Sequence, residues 1–418
     1  MTTPLTPGGD AIAAAAALAG RETLRLCTAG SVDDGKSTFV GRLLHDTKSV
    51  LADTLEQVTA ASARRGFQGL DLSLLVDGLR AEREQGITID VAYRYFSTPK
   101  RSFILADTPG HVQYTRNTVT GISTSQVVVL LVDARHGVVE QTRRHLTVAG
   151  LLGVKTVVLA VNKIDLVDYS REVFSQIEAE FTAAAREAGI AEPHAVPISA
   201  LHGDNVAHPS SAMDWYTGPT VLELLETIEV NRGRADDLDF RFPIQYVIRE
   251  HALDYRGYAG RVKAGAIEVG DTVDTPHGTT TVTAIDGTDG PQQEARTGDS
   301  VVLRLADDID LTRGDLLAVR RPADATRLRA HFVGLTQQAI PPNAIVKVRY
   351  GTALVKARVQ PTQPIELNDI TEATVQLAQP LPVEKYQARG AVGSLLLIDA
   401  SSGNTLAAGL VTIAEVQE

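Results

Sequence analysis

Between about residues 21 and 230, short apolar runs alternate with stretches of helical period. The runs are LRLCTA at 24–29, SFILA at 102–106, VVVLLV at 127–132, TVVLAV at 156–161 and AVPI at 195–198. Helical patterns follow at 36–44, 142–152 and 169–188. Apolar runs alternating with helices predict a mostly parallel sheet with helices on both faces. After the loop-like NRGRADDLD at 231–239 the long helical patterns stop. Short strands now alternate with Gly-Asp turns at Gly270-Asp271, Gly298-Asp299 and Gly314-Asp315, which predicts a small antiparallel barrel ending near 320–327. A second all-β stretch runs from about 328 to the end. The expected organisation is therefore an Ala-rich tail over 1–20, an α/β domain over 21–235, and β-barrels over 240–326 and 328–418.

A chain of 418 residues accommodates this many cores. Its 44% apolar and 22% charged residues are those of a globular protein. The net charge of −11, with no basic cluster beyond pairs such as Arg143-Arg144, argues against nucleic-acid binding. The single cysteine, Cys27, lies in an apolar run and is expected to be a buried core thiol; nothing demands an oxidising compartment. The N-terminal stretch has no Lys or Arg ahead of its alanines and carries Asp10, unlike a secretory signal. No run is long enough to span a bilayer, so a cytoplasmic protein without membrane partners is expected.

Chemistry enters where the apolar runs end, which is where open α/β sheets bind ligands. The segment Gly30, Ser31, Val32, Asp33, Asp34, Gly35, Lys36, Ser37, Thr38 follows a strand and opens a helix, the setting of a phosphate loop. Its glycines let backbone N–H groups turn inward at negative charge, and the helix N-terminus adds its dipole. Lys36 would reach the β- and γ-phosphates, and the Ser37 hydroxyl would take a Mg²⁺ position. Asp107, Thr108, Pro109, Gly110 and His111 follow SFILA. Asp107 would hold Mg²⁺ through a water, Gly110 would donate its N–H to the γ-phosphate, and His111 would orient the attacking water. Thr88, opening an alternating strand that runs to Phe96, would complete the Mg²⁺ shell and touch the γ-phosphate.

The base is chosen by Asn162, Lys163, Ile164 and Asp165 after TVVLAV. A carboxylate at Asp165 accepts from both N1–H and the 2-amino group of guanine, a pairing that adenine does not offer. Asn162 would bond the N7/O6 side, the Lys163 stem would cover a ring face, and a backbone N–H at Ser199-Ala200 would reach O6. The expected activity is hydrolysis of GTP with Mg²⁺, by positioning and electrostatics. No arginine finger in cis is evident beyond Arg83 as a weak candidate, so turnover is expected to be slow until a partner accelerates it.

Taken together, these residues resemble a translation-factor-type P-loop GTPase, and the β domains resemble the two barrels of elongation factor Tu. SVDDGKSTFVGRLLHDTKSV, LVDGLRAEREQGITIDVAYRYFST, DARHGVVEQTRRH and RFPIQYVIREHALDYRGYAGRV more specifically resemble the large, GTP-hydrolysing subunit of bacterial sulfate adenylyltransferase, over residues 20 to 418. The phosphate loop reads S-V-D-D-G-K-S, where elongation factors usually show H-V-D-H-G-K. The resemblance implies a coupled reaction. A separate small subunit of the ATP-pyrophosphatase type makes adenylyl sulfate and pyrophosphate from ATP and sulfate, and GTP hydrolysis here drives it. No second nucleotide motif is present, which agrees with adenylyl transfer on another chain. Some relatives carry a fused adenylyl-sulfate kinase, which is not expected before Glu418. An elongation-factor-like role on aminoacyl-tRNA or the ribosome is the alternative, since one scaffold serves both. The segment from about 46 to 84, between phosphate loop and Thr88, is the expected partner-sensing stretch.

Overall fold

The computed structural model describes residues 22–50, 52–64, 70–76, 91–110, 115–229, 235–250, 255–288, 290–387 and 391–416. The tail over 1–20, Arg83, Thr88 and His111 lie outside the described residues. The chain divides into two compact units between Val230 and Asn231.

In the first unit, β1 (Thr23–Gly30) lies at the centre of a six-stranded sheet. It pairs in parallel with β3 (Ser102–Asp107) on one side and β4 (Val127–Asp133) on the other. β5 (Thr156–Asn162) and β6 (Glu192–Pro197) continue the parallel set, and β2 (Ala92–Ser97) closes the far edge antiparallel to β3. Every residue of β4 and β5 is buried, as unbroken apolar runs require of strands covered on both faces. Cys27 is fully buried on β1.

Helices cover the sheet: α1 (Lys36–Asp46), α2 (Ala52–Arg64), α3 (Thr115–Thr124), α4 (Glu140–Leu151), α5 (Arg171–Glu187) and α6 (Val221–Thr227). The hydroxyl of Ser170 caps α5 by accepting from Val173 N–H. Thr220 and Glu223 form a reciprocal capping box at α6. Phe39, Val40 and Leu43 of α1 share a core with Leu24, Leu26, Val129 and Val158, which seats the phosphate helix firmly on the sheet.

The second unit holds two β-barrels. In the first, a ring runs Thr272–Thr275, Leu316–Ala318, Arg241–Glu250, Tyr255–Arg261, Ser300–Leu305, Gly278–Gly287 and back to its start, with Gly290–Gln292 added on the last strand. The three Gly-Asp turns share one construction. Gly270, Gly298 and Gly314 adopt φ of +103°, +99° and +111°. Each following aspartate accepts from the N–H three residues back: Asp271 from Glu268, Asp299 from Arg296 and Asp315 from Thr312. Glycine supplies the left-handed backbone and aspartate locks the turn. The second barrel closes six antiparallel strands in the order Ala325–Gly334, Ile370–Leu381, Ala353–Pro361, Ala344–Tyr350, Ser394–Asp399, Thr405–Val416. Arg241 of the first barrel meets Glu384 of the second in a bidentate pair, both bonds 2.8 Å, with little of either side chain exposed.

Candidate functional site: a nucleotide pocket at the carboxyl edge of the sheet

The phosphate loop spans from the end of β1 to the start of α1. Gly35 has φ of +89°, and a Cβ there would strike the Asn162 side-chain amide, so glycine is required twice over. Asp34 is buried and accepts from Ser31 N–H at 2.6 Å, bracing the loop from inside. Burial pushes its carboxyl upward, against the pull of that N–H and of the Lys36 ammonium. Lys36 is itself only 8% exposed and donates to Gly30 O at 3.0 Å and Ser31 O at 2.6 Å. Burial drives its pKa down, while the carboxylates of Asp34, Asp107 and Asp33 hold it up. A dehydrated ammonium held by carbonyls is poised to exchange them for phosphate oxygens. Ser31 Oγ is buried without a hydrogen-bond partner among the described residues, a further donor facing this loop. Ser37 and Thr38 lie half-buried in the first turn of α1, and Val32 and Asp33 are exposed at the loop's crest.

Asp107 ends β3 beside this loop and is 1% exposed. Thr28 Oγ1 donates to its Oδ1 at 2.9 Å, while Thr108 Oγ1 donates back to Thr28 O at 2.5 Å. This exchange between neighbouring strands aims the carboxylate over the loop. Pro109 O accepts from Thr118 of α3 at 3.2 Å. Gly110 then passes so close to the phosphate loop that a Cβ would meet the Lys36 ammonium and lie 3.0 Å from Ser31 O.

On the other flank, Asn162 ends β5 and is 2% exposed. Its Nδ2 donates to Asp34 O at 2.8 Å, and its Oδ1 accepts from Ala200 N–H at 2.9 Å. Lys163 is left-handed at φ +60°, which costs an L-residue roughly 1–2 kcal/mol. Two contacts on its ammonium hold it there: Asp33 O at 2.5 Å and Asp133 Oδ2 at 3.0 Å. Asp133 also takes two bonds from the Arg135 guanidinium, at 2.9 and 2.6 Å. Burial alone would raise the Asp133 carboxyl, but the bonds from Arg135 and Lys163 hold it well below the usual carboxylate range. Ile164 is buried in the core, and Asp165 stands at the rim with His202 Nε2 3.8 Å from its Oδ2. Ser199 N–H donates to Asp204 O at 3.2 Å. Both N–H groups of Ser199-Ala200 are thus engaged within the protein, Ala200 through Asn162, so contact with guanine O6 requires Ala200 to share or exchange its partner.

The described parts of these motifs come together at one edge of the sheet: Gly30–Thr38, Asp107–Gly110, Asn162–Asp165 and Ser199-Ala200. Two domain families match the chain: the elongation factor Tu GTP binding domain over residues 21–231, and the GTP-eEF1A C-terminal domain-like family over residues 337–412. Sulfate adenylyltransferase subunit 1 of Cellvibrio japonicus (strain Ueda107) is 46% identical over 411 residues, covering 94% of this chain and 87% of that protein. The chain belongs to the sulfate adenylyltransferase subunit 1 family. The bifunctional enzyme CysN/CysC of Mycobacterium tuberculosis (strain ATCC 25618 / H37Rv) is 47% identical over 414 residues, 93% of this chain and 67% of that protein. The Saccharomyces cerevisiae Ski7 GTPase-like domain, solved with GDP and inorganic phosphate, superposes with a TM-score of 0.53 at 16% identity, over 96% of this chain and 99% of that one. That likeness is one of fold alone.

The elongation factor Tu GTP binding domain match spans all of these motifs, so the chain carries a GTP-binding domain, and the residues gathered here are the candidate site within it. Its donors are hard oxygens: the Ser37 hydroxyl and the Asp107 carboxylate, beside the space that phosphates would fill. That set suits Mg²⁺, which takes one or two carboxylates plus phosphate oxygens rather than a protein cage. Among the described residues no group of three or more His, Cys, Asp or Glu could hold a metal alone, and no helix is long and apolar enough to cross a membrane.

Thr28, Asp133 and Arg42 receive no role from the sequence, although Asp133 and Arg42 stand inside segments that carry the family resemblance. His145 on α4 receives none either. It is 3% exposed, its Nε2 lies 3.0 Å from Gln141 Nε2, and its Nδ1 has no partner among the described residues. Burial, helped by the Lys36 charge, pushes its pKa down to about 3. Between about pH 6.5 and 3 the unfolded chain binds a proton here that the folded chain refuses. Its contribution is therefore complete above pH 6.5 and is lost as pH falls, by at most about 1.4 kcal/mol per unit. In urea titrations from pH 7 to 4.5, His145→Gln should flatten the loss of stability with acid. Identical slopes in variant and parent would remove His145 as the cause.

Proposed function

We propose that this chain is the GTP-hydrolysing subunit of a cytoplasmic sulfate adenylyltransferase, working with a separate small subunit of the ATP-pyrophosphatase type. That partner forms adenylyl sulfate and pyrophosphate from ATP and sulfate, and cleavage of GTP to GDP and phosphate on this chain drives the unfavourable transfer. The observation that carries the reading is the convergence of the Lys36 loop, Asp107 and the Asn162–Asp165 turn on one edge of the sheet, in a member of this family.

In the reaction, a water attacks the γ-phosphorus and the bond to the β–γ bridging oxygen breaks. Lys36 moves from its two carbonyls onto the β- and γ-oxygens and stabilises the charge that builds there. The Gly110 N–H binds a γ-oxygen, so this loop distinguishes triphosphate from diphosphate. His111, outside the described residues, orients the water, and Thr88, also outside them, contacts the γ-phosphate. Ser37, Thr88 and, through a water, Asp107 would hold Mg²⁺, which would supply positive charge against the phosphates. Asp165 selects guanine, with Asn162 and Lys163 fixed around it.

Reconstitution tests the function. The purified chain mixed with its small partner, ATP, sulfate and GTP should accumulate adenylyl sulfate beyond the yield without GTP. The partner should also raise the GTPase rate. Hydrolysis of GTP with no gain in adenylyl sulfate would reject the coupling, and GTP-dependent, salt-sensitive tRNA binding would favour the elongation-factor alternative instead.

A further inference from the structure

Arg42 lies on the phosphate helix α1, six residues beyond Lys36, yet its guanidinium reaches the loop after β6. Nε donates to Ala200 O at 3.1 Å and Nη2 to Leu201 O at 2.5 Å. These carbonyls lie 158 and 159 residues away in the chain, in the loop after β6. The fork is held from behind by Asp46, one turn along the helix at 3.7 Å, and the guanidinium lies against Gly203. Only 18% of the Arg42 side chain is exposed.

The loop Arg42 grips is the one whose Ala200 N–H donates to Asn162 Oδ1, while Asn162 Nδ2 donates to Asp34 O of the phosphate loop. The contacts close a circuit: α1 to the Ala200 loop through Arg42, that loop to Asn162, Asn162 to the phosphate loop, and the phosphate loop back into α1. A planar fork fixing two successive carbonyls sets both the position and the tilt of the peptide between them. We infer that Arg42 is a specificity-positioning residue: it holds the Ala200 peptide and Asn162 in register against the 6-oxo side of guanine. Its contacts are to protein groups, so it acts through the loop it grips. A lysine in its place would keep the charge and reach only one carbonyl.

This inference rests on the guanine-reading assignment of Asn162, Asp165 and Ala200, and the experiment separates the two. Affinities of GTP, 6-thio-GTP and inosine triphosphate are measured calorimetrically on the full chain and on Arg42→Ala and Arg42→Lys. 6-Thio-GTP keeps the N1–H and 2-amino group that Asp165 accepts and weakens only the acceptor at position 6. Inosine triphosphate lacks only the 2-amino group. The preference for GTP over 6-thio-GTP should shrink in Arg42→Ala by about tenfold, the worth of one well-placed hydrogen bond, and by less in Arg42→Lys. The preference over inosine triphosphate should stay as in the parent. Equal weakening of all three nucleotides, or a lower melting temperature with both preferences intact, would overturn the inference. If the unaltered chain fails to prefer GTP over ATP, the fault lies with the base assignment and not with Arg42.

Discussion

Replacing Lys36 by alanine should lower GTP hydrolysis by about two to three orders of magnitude, the usual effect of deleting one preorganised donor to developing charge. The structure gives the physical basis of this effect. The ammonium is the cation that Asp34, Asp107 and Asp33 all support, and Gly110 crosses directly over it. Stability of the nucleotide-free protein should change far less. Two bonds to carbonyls are lost, but so is the burial of a charge, and the two terms oppose each other. Arginine should fail almost as badly, because a wider, planar group does not fit beneath Gly110. Single-turnover hydrolysis with calorimetric GTP and GDP affinities tests this. A variant that binds GTP weakly yet hydrolyses it at the parental rate once saturated would show that Lys36 only binds and does not act on the transition state.

Asp165→Asn should turn a guanine pocket toward xanthine. In the proposed site the carboxylate would accept from N1–H and the 2-amino group. The amide that replaces it faces the guanine 2-amino group with a donor of its own, whereas the 2-oxo group of xanthine accepts that donor. Sites that hydrogen-bond a ligand group reject analogues that cannot match it by roughly 10⁴ or more, so GTP affinity should fall by about that scale while xanthosine triphosphate gains. Asp165 is free to be exchanged because its own protein contact is loose: the nearest cationic partner is His202 at 3.8 Å, and the side chain is 14% exposed. The flanking restraints on Asn162 and Lys163 do not pass through it. Competition binding of GTP against xanthosine triphosphate gives the answer, and unchanged guanine selectivity would contradict the base-reading role.

The elements legible in advance were those whose signal is short-range. Apolar runs at 127–132 and 156–161 became the fully buried strands Val127–Asp133 and Thr156–Asn162. Lys36–Asp46 began where the phosphate loop ends. The helices Ala52–Arg64, Thr115–Thr124 and Val221–Thr227 were not anticipated. The last had a local signal, since Thr220-Val-Leu-Glu223 spells a capping box. The other two have no such capping-box pattern just before them in the sequence, and each has only two large apolar residues.

By itself the sequence determined the alternation of strand and helix, the change to barrel rhythm after 230, the Gly-Asp turns and the candidate residues for a GTP site. Each depends on side-chain period or turn chemistry within a few residues. Only the tertiary structure decided how those groups are held. It placed Thr28 on Asp107 across 79 residues, Asp133 beneath a left-handed Lys163, and Arg42 on a loop 158 residues along the chain. Such pairings follow from which strands adjoin and how α1 is seated on the sheet. Strand adjacency is settled by burying the whole core at once, and that information is not carried by any one segment.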